Sequence, residues 1–128
     1  MEVDRIDHLV LTVKSIDDTV DFYQTVMGMK KICFGEDRVA LSFGSQKINL
    51  HQRGNEFEPK AGNVQSGSAD LCFIIKQPVE QAINHLLSCK VSVIEGPVTR
   101  TGAKGKIISA YFRDLDDNLI EVSNYANM

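Results

Sequence analysis

The hydrophobic pattern of the chain occurs twice. Residues 7–14 and 69–76 are strand-like apolar runs that each end on a lysine, Lys14 and Lys76. A segment with the apolar spacing of a helix follows each run, and three short strand candidates follow each helix. These candidates span residues 29–34, 38–43 and 46–52 in the first copy, and 91–94, 107–113 and 118–124 in the second. The pattern therefore predicts two copies of a β-α-β-β-β module.

Local capping signals set the ends of the two predicted helices. Ser15 precedes the first helix as an N-cap, and Gly28 follows it as a stop. Pro78 suits the first position of the second helix. Because a single module cannot bury its sheet alone, we predict an α+β fold whose two tandem modules form a cupped, open mixed sheet around a cleft. Module one covers 4–52, a linker 53–67 and module two 68–125 of one domain, 1–128.

Composition and charge narrow the classes of protein. The 128 residues, 43% hydrophobic and 24% charged, are typical of one globular domain. A net charge of -3 provides no basic field for nucleic acid or an anionic membrane, so we expect neither partner. Three cysteines without Cys-x-x-Cys spacing, and an acidic start without an apolar segment, predict a cytoplasmic protein with reduced thiols.

Four polar side chains fall on the strand faces turned away from the helices. Strand alternation places His8 and His51 there in the first module, and Asp70 and Glu121 in the second. We interpret the four as equivalent positions of the repeat. Each residue alone is more often a hydrogen-bonded or solvent-facing side chain than a ligand. Imidazole nitrogens and carboxylate oxygens bind divalent metals, so together the four predict a metal site.

Three further features have simpler interpretations. The run 114–117 lacks the spacing of an EF-hand, so we expect a solvated hairpin turn. Cys72, on the face of Asp70, is expected to be a small packed residue rather than a nucleophile. The segment 99–106 is rich in glycine and basic residues. It is either a loop that holds an anionic substrate group through Arg100 and Lys104, or an ordinary mobile connection.

Three segments, DHLVLTV, SIDDTVDFYQTVMGM and YFRDLDDNLIEVSNY, resemble the vicinal oxygen chelate superfamily of glyoxalase, bleomycin-resistance and extradiol dioxygenase-like proteins. The resemblance covers nearly the whole chain and is greatest to small proteins of the glyoxalase domain-containing protein 5 type. The family's ligand places fall on four residues: His8, His51, Asp70 and Glu121. Glyoxalase I enzymes carry His or Glu where this chain has Asp70, which makes Asp70 a candidate for a supporting group rather than a ligand.

A second departure lies in the last turn, where Leu115 and Asp117 replace the family's Pro and Gly. The resemblance implies a metal-dependent lyase or isomerase of glyoxalase I type that acts on a small molecule with adjacent oxygens. One divalent ion (Zn, Ni, Mn, Co or Fe) would stabilise an oxyanion, with Glu121 or a metal-bound hydroxide as general base.

Two alternatives stay open: an extradiol-type Fe(II) dioxygenase and a non-catalytic protein that sequesters an antibiotic. The resemblance also implies a homodimer, whose site lies within one chain or is shared by two.

Overall fold

The computed structural model describes residues 1–126, which form two compact units divided between Ser66 and Gly67. Unit 1 contains β1 (His8–Val13), α1 (Ile16–Met27), β2 (Lys30–Phe34), β3 (Arg38–Phe43) and β4 (Gln46–Gln52). Unit 2 contains β5 (Asp70–Ile74), α2 (Val79–Ser88), β6 (Glu95–Gly102), β7 (Gly105–Arg113) and β8 (Leu119–Tyr125). The predicted α+β fold of two tandem modules is confirmed.

Both sheets have the same mixed topology. The strand orders are β1-β4-β3-β2 in unit 1 and β5-β8-β7-β6 in unit 2. The first strand of each unit pairs in parallel with the last one, and the other neighbours are antiparallel. The α-helix of each unit provides the crossover that a parallel pair requires.

The caps predicted for α1 are present. The Ser15 hydroxyl accepts the backbone N–H of Asp18 at 3.1 Å. Gly28 ends the helix with φ 67°, a left-handed conformation that glycine adopts without steric cost. The second helix begins one residue later than predicted, with Pro78 as its N-cap and the Val79 N–H donating to the Asn124 side chain at 2.8 Å. Within the described chain, neither helix has the length and apolar character needed to cross a membrane.

The apolar core of each unit lies between its helix and one face of its sheet. The core includes Ile48 and Leu50 in unit 1, and Ile120 and Val122 in unit 2, which are all at most 3% exposed. Alternation then turns their sequence neighbours to the opposite face. That opposite face, called the open face below, carries the candidate site residues of each unit.

The segment before β7 differs from the prediction. Residues 91–94 are not a strand; β6 instead spans Glu95–Gly102 and joins β7 through residues 103–104. The predicted loop 99–106 is therefore the end of a β-hairpin, so the loop prediction is wrong. The β-branched Thr99 and Thr101 favour the strand, and a Cβ on Gly102 would lie only 2.9 Å from the Ile107 side chain.

The turn between β7 and β8 is also not the solvated turn that was predicted. Asp114 and Asp116 are buried at 6% and 5% exposure. The Asp114 carboxylate accepts the backbone N–H groups of Asp116 and Asn118, at 2.9 and 3.0 Å, and the Asn118 amide at 2.9 Å. Asn118 in turn accepts the Ala69 N–H at 2.9 Å. The acidic run thus closes a turn and ties it to the start of β5.

Candidate functional site

Unit 2 has a cavity of about 440 Å³ on its open face. Glu121, from β8, and Arg100, from β6, both line this cavity. The remaining lining residues are Cys72, Ile74, Thr101, Gly102, Ala103, Ile107, Tyr111 and Tyr125. A volume of this size accommodates a small molecule, and the lining combines a carboxylate, a guanidinium and two phenols with apolar side chains.

Two buried serines fix the Glu121 carboxylate. The Ser109 hydroxyl donates to Glu121 Oε2 at 2.5 Å, and the Ser123 hydroxyl lies 3.4 Å from the same oxygen. The two hydroxyls are 2.7 Å apart, and both serines are completely buried. Ser123 lies on β8 two residues beyond Glu121, and Ser109 lies opposite Ser123 on β7, so the sheet itself orients this carboxylate.

Arg100, named from the sequence as a candidate for holding an anionic substrate group, lines the same cavity as Glu121. Arg100 lies on β6, where its guanidinium donates to the Tyr111 hydroxyl at 3.1 Å and to the Glu95 carboxylate at 2.9 Å. Burial raises the pKa of Tyr111, so its phenol is protonated at neutral pH. Lys104 lies in the hairpin turn and is not part of the cavity lining; its backbone N–H donates to the Tyr125 hydroxyl at 3.1 Å.

Cys72 lines the same cavity and is exposed, so the expectation of a packed residue is wrong. Its Sγ lies 3.3 Å from the Ser123 hydroxyl. Burial of the sulfur is the main reason that the pKa of this thiol is raised. A protonated thiol is a poor nucleophile, which agrees with the prediction that Cys72 is not one.

The strand register corrects the predicted equivalence of His51 and Glu121. Glu121 pairs with Cys72, two residues beyond the first residue of β5, Asp70. The residue at the same position in unit 1 is Asn49, which pairs with Val10, two residues beyond His8. His51 lies two residues further along β4. His8 and Asp70 are equivalent as predicted, but the partner of Glu121 in the repeat is Asn49.

The same register separates the two histidines of unit 1. His8 pairs with Lys47 and His51 pairs with Thr12, four residues further along. At about 3.3 Å per residue, this offset places their backbones about 13 Å apart along the sheet. Both side chains are on the open face, as predicted. Asn49 is offset from His8 by only two residues along the sheet and His51 by four, so Asn49 is the nearer neighbour of His8.

Asn49 is buried at 5% exposure, and its side-chain Oδ1 has no hydrogen-bond partner within residues 1–126. A buried amide oxygen without a donor costs about 1–3 kcal/mol. Such an atom in a native fold calls for a ligand, a water or an ion. The alternation of apolar and polar residues puts Asn49 on the open face. Nothing else in the sequence marks an asparagine between two buried aliphatic residues as a candidate ligand.

His51 is buried, whereas a metal ligand in an open cleft would be exposed. It is 3% exposed, lies edge-on to Phe57 with ring centroids 5.4 Å apart, and its Nε2 is 3.5 Å from Arg38 Nη2. Burial, and then the charge of Arg38, lower the pKa of His51, so the imidazole is neutral at pH 7. His8, by contrast, is half-exposed, and its Nδ1 lies 2.9 Å from an Asp7 carboxylate oxygen.

Within residues 1–126, the structure places no three His, Cys, Asp or Glu side chains together as a metal-binding group. Each unit taken by itself provides at most part of a ligand set: His8 and Asn49 in unit 1, Asp70 and Glu121 in unit 2. Imidazole, carboxylate and amide groups are each known ligands of divalent ions. The ligand set named from the sequence stays a prediction.

Residues 5–122 match the model of the Glyoxalase/Bleomycin resistance protein/Dioxygenase superfamily. The chain belongs to this superfamily. It is 54% identical to virulence protein STM3117 of Salmonella typhimurium, over 98% of this chain and 87% of that protein. The crystal structure of STM3117 has a TM-score of 0.97 and covers 98% of this chain and 100% of its own.

Two further relatives are similar to this chain over almost its whole length. Glyoxalase domain-containing protein RDO1 of Mycosarcoma maydis is 55% identical over 98% of this chain and 70% of its own. An integron cassette protein of V. cholerae is 59% identical, with a TM-score of 0.97 and 98% of both chains covered. Divalent metal ions are common in the superfamily, so the membership supports the kind of site predicted without fixing a reaction.

Proposed function

We propose that the protein is a metal-dependent enzyme of glyoxalase type, a lyase or isomerase that acts on a small molecule with two adjacent oxygens. The observation that carries the proposal is the Glu121 carboxylate, which two buried serines orient at a cavity large enough for one small substrate. Carboxylates held in this way serve as general bases. Membership of the superfamily is compatible with this chemistry and with others.

The proposed metal ligands are His8 and Glu121, with Asp70 as a third ligand or a supporting group. His51, named from the sequence, and Asn49, named from the register, are alternatives for the remaining position. When bound, the ion would act as a Lewis acid for two neighbouring substrate oxygens. The orphaned Oδ1 of Asn49 supports a role for that residue, since an amide oxygen is a ligand for hard divalent ions.

Residues of the chain would abstract the proton and bind the substrate oxygens. Glu121 Oε2 is held by Ser109, so the carboxylate is aimed before substrate arrives and can take the proton next to a carbonyl. The Tyr111 phenol and the Arg100 guanidinium line the same cavity and are positioned to donate hydrogen bonds to substrate oxygens. The apolar side chains of Ile74 and Ile107 add hydrophobic surface to the cavity lining.

Metal analysis of protein purified without chelators or affinity tags tests the site. We expect one divalent ion per chain, lost in His8→Ala and in Glu121→Ala with the fold intact by circular dichroism. Asn49→Ala and His51→Ala separate the two alternatives, because only the variant that lacks a ligand loses affinity. The exposed His85→Ala, on α2, is the matched control. Full metal content in both His8→Ala and Glu121→Ala would refute the site.

A substrate panel then tests the reaction class. Hemithioacetals of 2-oxoaldehydes, catechols with oxygen, and epoxide antibiotics with thiols are assayed on metal-free protein reloaded with each first-row metal. Isomerisation or thiol addition supports the proposal. Ring cleavage of a catechol with Fe(II) indicates the dioxygenase instead. Tight binding by metal-free protein, without turnover under any metal, indicates a sequestering protein.

We further propose a cytoplasmic homodimer. Two edge strands of each sheet, β1 and β2 in unit 1 and β5 and β6 in unit 2, lack a second neighbour in their own sheet. A second copy of the chain can cover such edges. The exposed thiols of Cys33 and Cys72 suit a reducing compartment. Sedimentation at micromolar concentration tests the association, and a folded monomer would contradict it.

A further inference from the structure

The open face of unit 1 is cationic. The register brings three residues from each of four strands onto this face. Lysine or arginine occupies three of these places and aspartate or glutamate none. The residues are His8, Val10, Thr12, Lys47, Asn49, His51, Ser42, Ala40, Arg38, Lys30, Ile32 and Phe34. A face with this charge attracts anions.

Arg38 is the most strongly positioned of these cations. Its guanidinium carbon lies over the Phe57 ring, 4.6 Å from the centroid, and over the Phe34 ring at 5.1 Å. Two aromatic contacts restrict the orientation of a side chain that is otherwise flexible. Arg38 is only half-buried, so solutes reach it. The guanidinium is thus a pre-oriented, accessible group.

The N–H donors of Arg38 are largely unused within the described residues. Its one polar contact there is the 3.5 Å approach of Nη2 to His51 Nε2, at the limit of a hydrogen bond. No carboxylate lies within 4.0 Å of it. Glu56, in the loop after β4, is close enough for its charge to act on His51, but it forms no ion pair with Arg38 and accepts the backbone N–H of Gly54 at 2.7 Å. A guanidinium carries five N–H donors in a planar fork, so most of this fork has no partner.

A second cation, Lys47, lies beside the Phe34 ring. The Lys47 ammonium lies 3.7 Å from the Phe34 centroid and, like Arg38, has no ion-pair partner in residues 1–126. Two positive charges that share one aromatic ring repel each other weakly, and a bound anion would remove this cost. Lys47 and Arg38 therefore belong to one cluster, together with Phe34, Phe57 and His51.

We propose that this cluster is a binding site for a two-oxygen anionic group, a carboxylate or phosphoryl group, held by the fork of Arg38 with Lys47 beside it. The inference rests on the proposed function, because it names the class of substrate: an acid whose anionic end binds on the open face of unit 1. A planar fork binds such groups through two parallel hydrogen bonds. Arg38 is thereby a specificity-determining residue rather than a catalytic one.

The test measures binding of simple anions to metal-free protein in EDTA. Acetate, benzoate and inorganic phosphate are titrated separately, and backbone amide shifts are followed by NMR. We expect saturable shifts at Phe34, Arg38 and His51. Benzoate and acetate distinguish a carboxylate from phosphate. Arg38→Met should raise the dissociation constant about tenfold or more, and Arg38→Lys less, because lysine keeps the charge but not the fork.

Arg113→Met is the matched control, because Arg113 is an exposed arginine of unit 2 whose guanidinium donates to the Asp117 carbonyl. It should bind the probes as wild type does. Unchanged binding in Arg38→Met, or shifts scattered over the surface, would overturn the proposal. Glu121→Gln should bind the probes normally but lose turnover. Failure of the anion site therefore appears in the probe titration, and failure of the proposed function appears in the activity assay.

Discussion

The two units share one architecture but have opposite chemistry on their open faces. Ile48 of unit 1 and Ile120 of unit 2 occupy the same register position, and both are completely buried. One residue further along, the units differ: Asn49 leaves a buried oxygen without a partner, whereas Glu121 is bonded to Ser109. Packing against the helix requires apolar side chains on one side of each sheet. The open side has no such requirement, and its polar residues differ between the two units.

The charged residues on the two open faces also differ. The open face of unit 1 carries cations that form no ion pair within residues 1–126. The open face of unit 2 carries Glu121, with Arg100 already bonded to Glu95 and Tyr111. A satisfied, rigid network suits a group that reacts, and unfilled donors suit a group that binds. By this comparison, the proposed general base belongs to unit 2 and the proposed anion site belongs to unit 1. The predictions below test this division.

The largest expected effect follows from changing the reacting group. Glu121→Gln removes the proposed general base while keeping its size and its bonds to serine, so turnover should fall about 10²–10⁴-fold. Turnover of the best substrate from the panel measures the change. Glu80→Gln, at an exposed position of α2, should leave turnover unaltered. Activity close to wild type in Glu121→Gln would remove unit 2 as the reacting unit.

The next effect tests whether the cores are as alike as the register indicates. Ile48→Ala and Ile120→Ala each remove a buried side chain at equivalent positions, so each should cost about 2–5 kcal/mol of unfolding free energy. Urea denaturation at neutral pH measures both. A large loss at one position with almost none at the other would show that the units do not share one packing scheme.

Much of this fold is predictable from the sequence, because packing and capping leave local signals. Ser15 and Gly28 mark the ends of α1, and alternation assigns the faces of β1 and β4 correctly. The error over His51 has a physical cause. The equivalence of His51 and Glu121 depends on aligning Phe43 with Phe112 by sequence. In the structure the residue equivalent to Phe112 is Leu41, so that alignment is two residues out of register.

A slip of two residues keeps every side chain on the same face. Hydrophobic alternation therefore cannot detect it, and only the hydrogen-bonded register can. The β6 error is different in kind. Residues of an edge strand that are mostly exposed give no apolar run, and Thr-Arg-Thr between glycines resembles a loop by composition. The position of a candidate residue can be predicted only as well as the register of its strand, which is why His51 rather than Asn49 was matched with Glu121.

A smaller effect contrasts the two polar groups at the shared position. Asn49→Leu replaces an amide with an unpaired oxygen by an apolar side chain of similar size, so metal-free protein should gain about 1 kcal/mol of stability. Ser109→Ala removes a donor from Glu121 and should lose about 1–3 kcal/mol. Denaturant unfolding in EDTA measures both changes. Destabilisation by Asn49→Leu would mean that the amide is satisfied in solution.

Acidification should act on unit 1 through His51. The pKa of His51 is lowered in the folded state by burial and by Arg38, so the unfolded chain binds the proton more readily. Stability is therefore full above the ordinary histidine value near 6.5 and declines as the pH falls below it, by at most about 1.4 kcal/mol per pH unit. Unfolding curves at pH 7.5 and 5.5 measure the decline, which His51→Gln should reduce and His85→Gln should not. Equal declines in wild type and His51→Gln would show that another group is responsible.

The smallest effect compares the turns that precede β4 and β8. Gly44 has φ 51° and no atom within 4 Å of its missing Cβ, so Gly44→Ala should cost only the left-handed backbone strain, about 1 kcal/mol. Asp117 adopts the same region at φ 69°, at the position where the family resemblance implies a glycine. Asp117→Gly relieves that strain but adds freedom to the unfolded chain, so a net gain below about 1 kcal/mol is expected. Paired thermal melts measure both. A loss in Asp117→Gly would mean that the aspartate side chain stabilises its turn by more than its backbone strain costs.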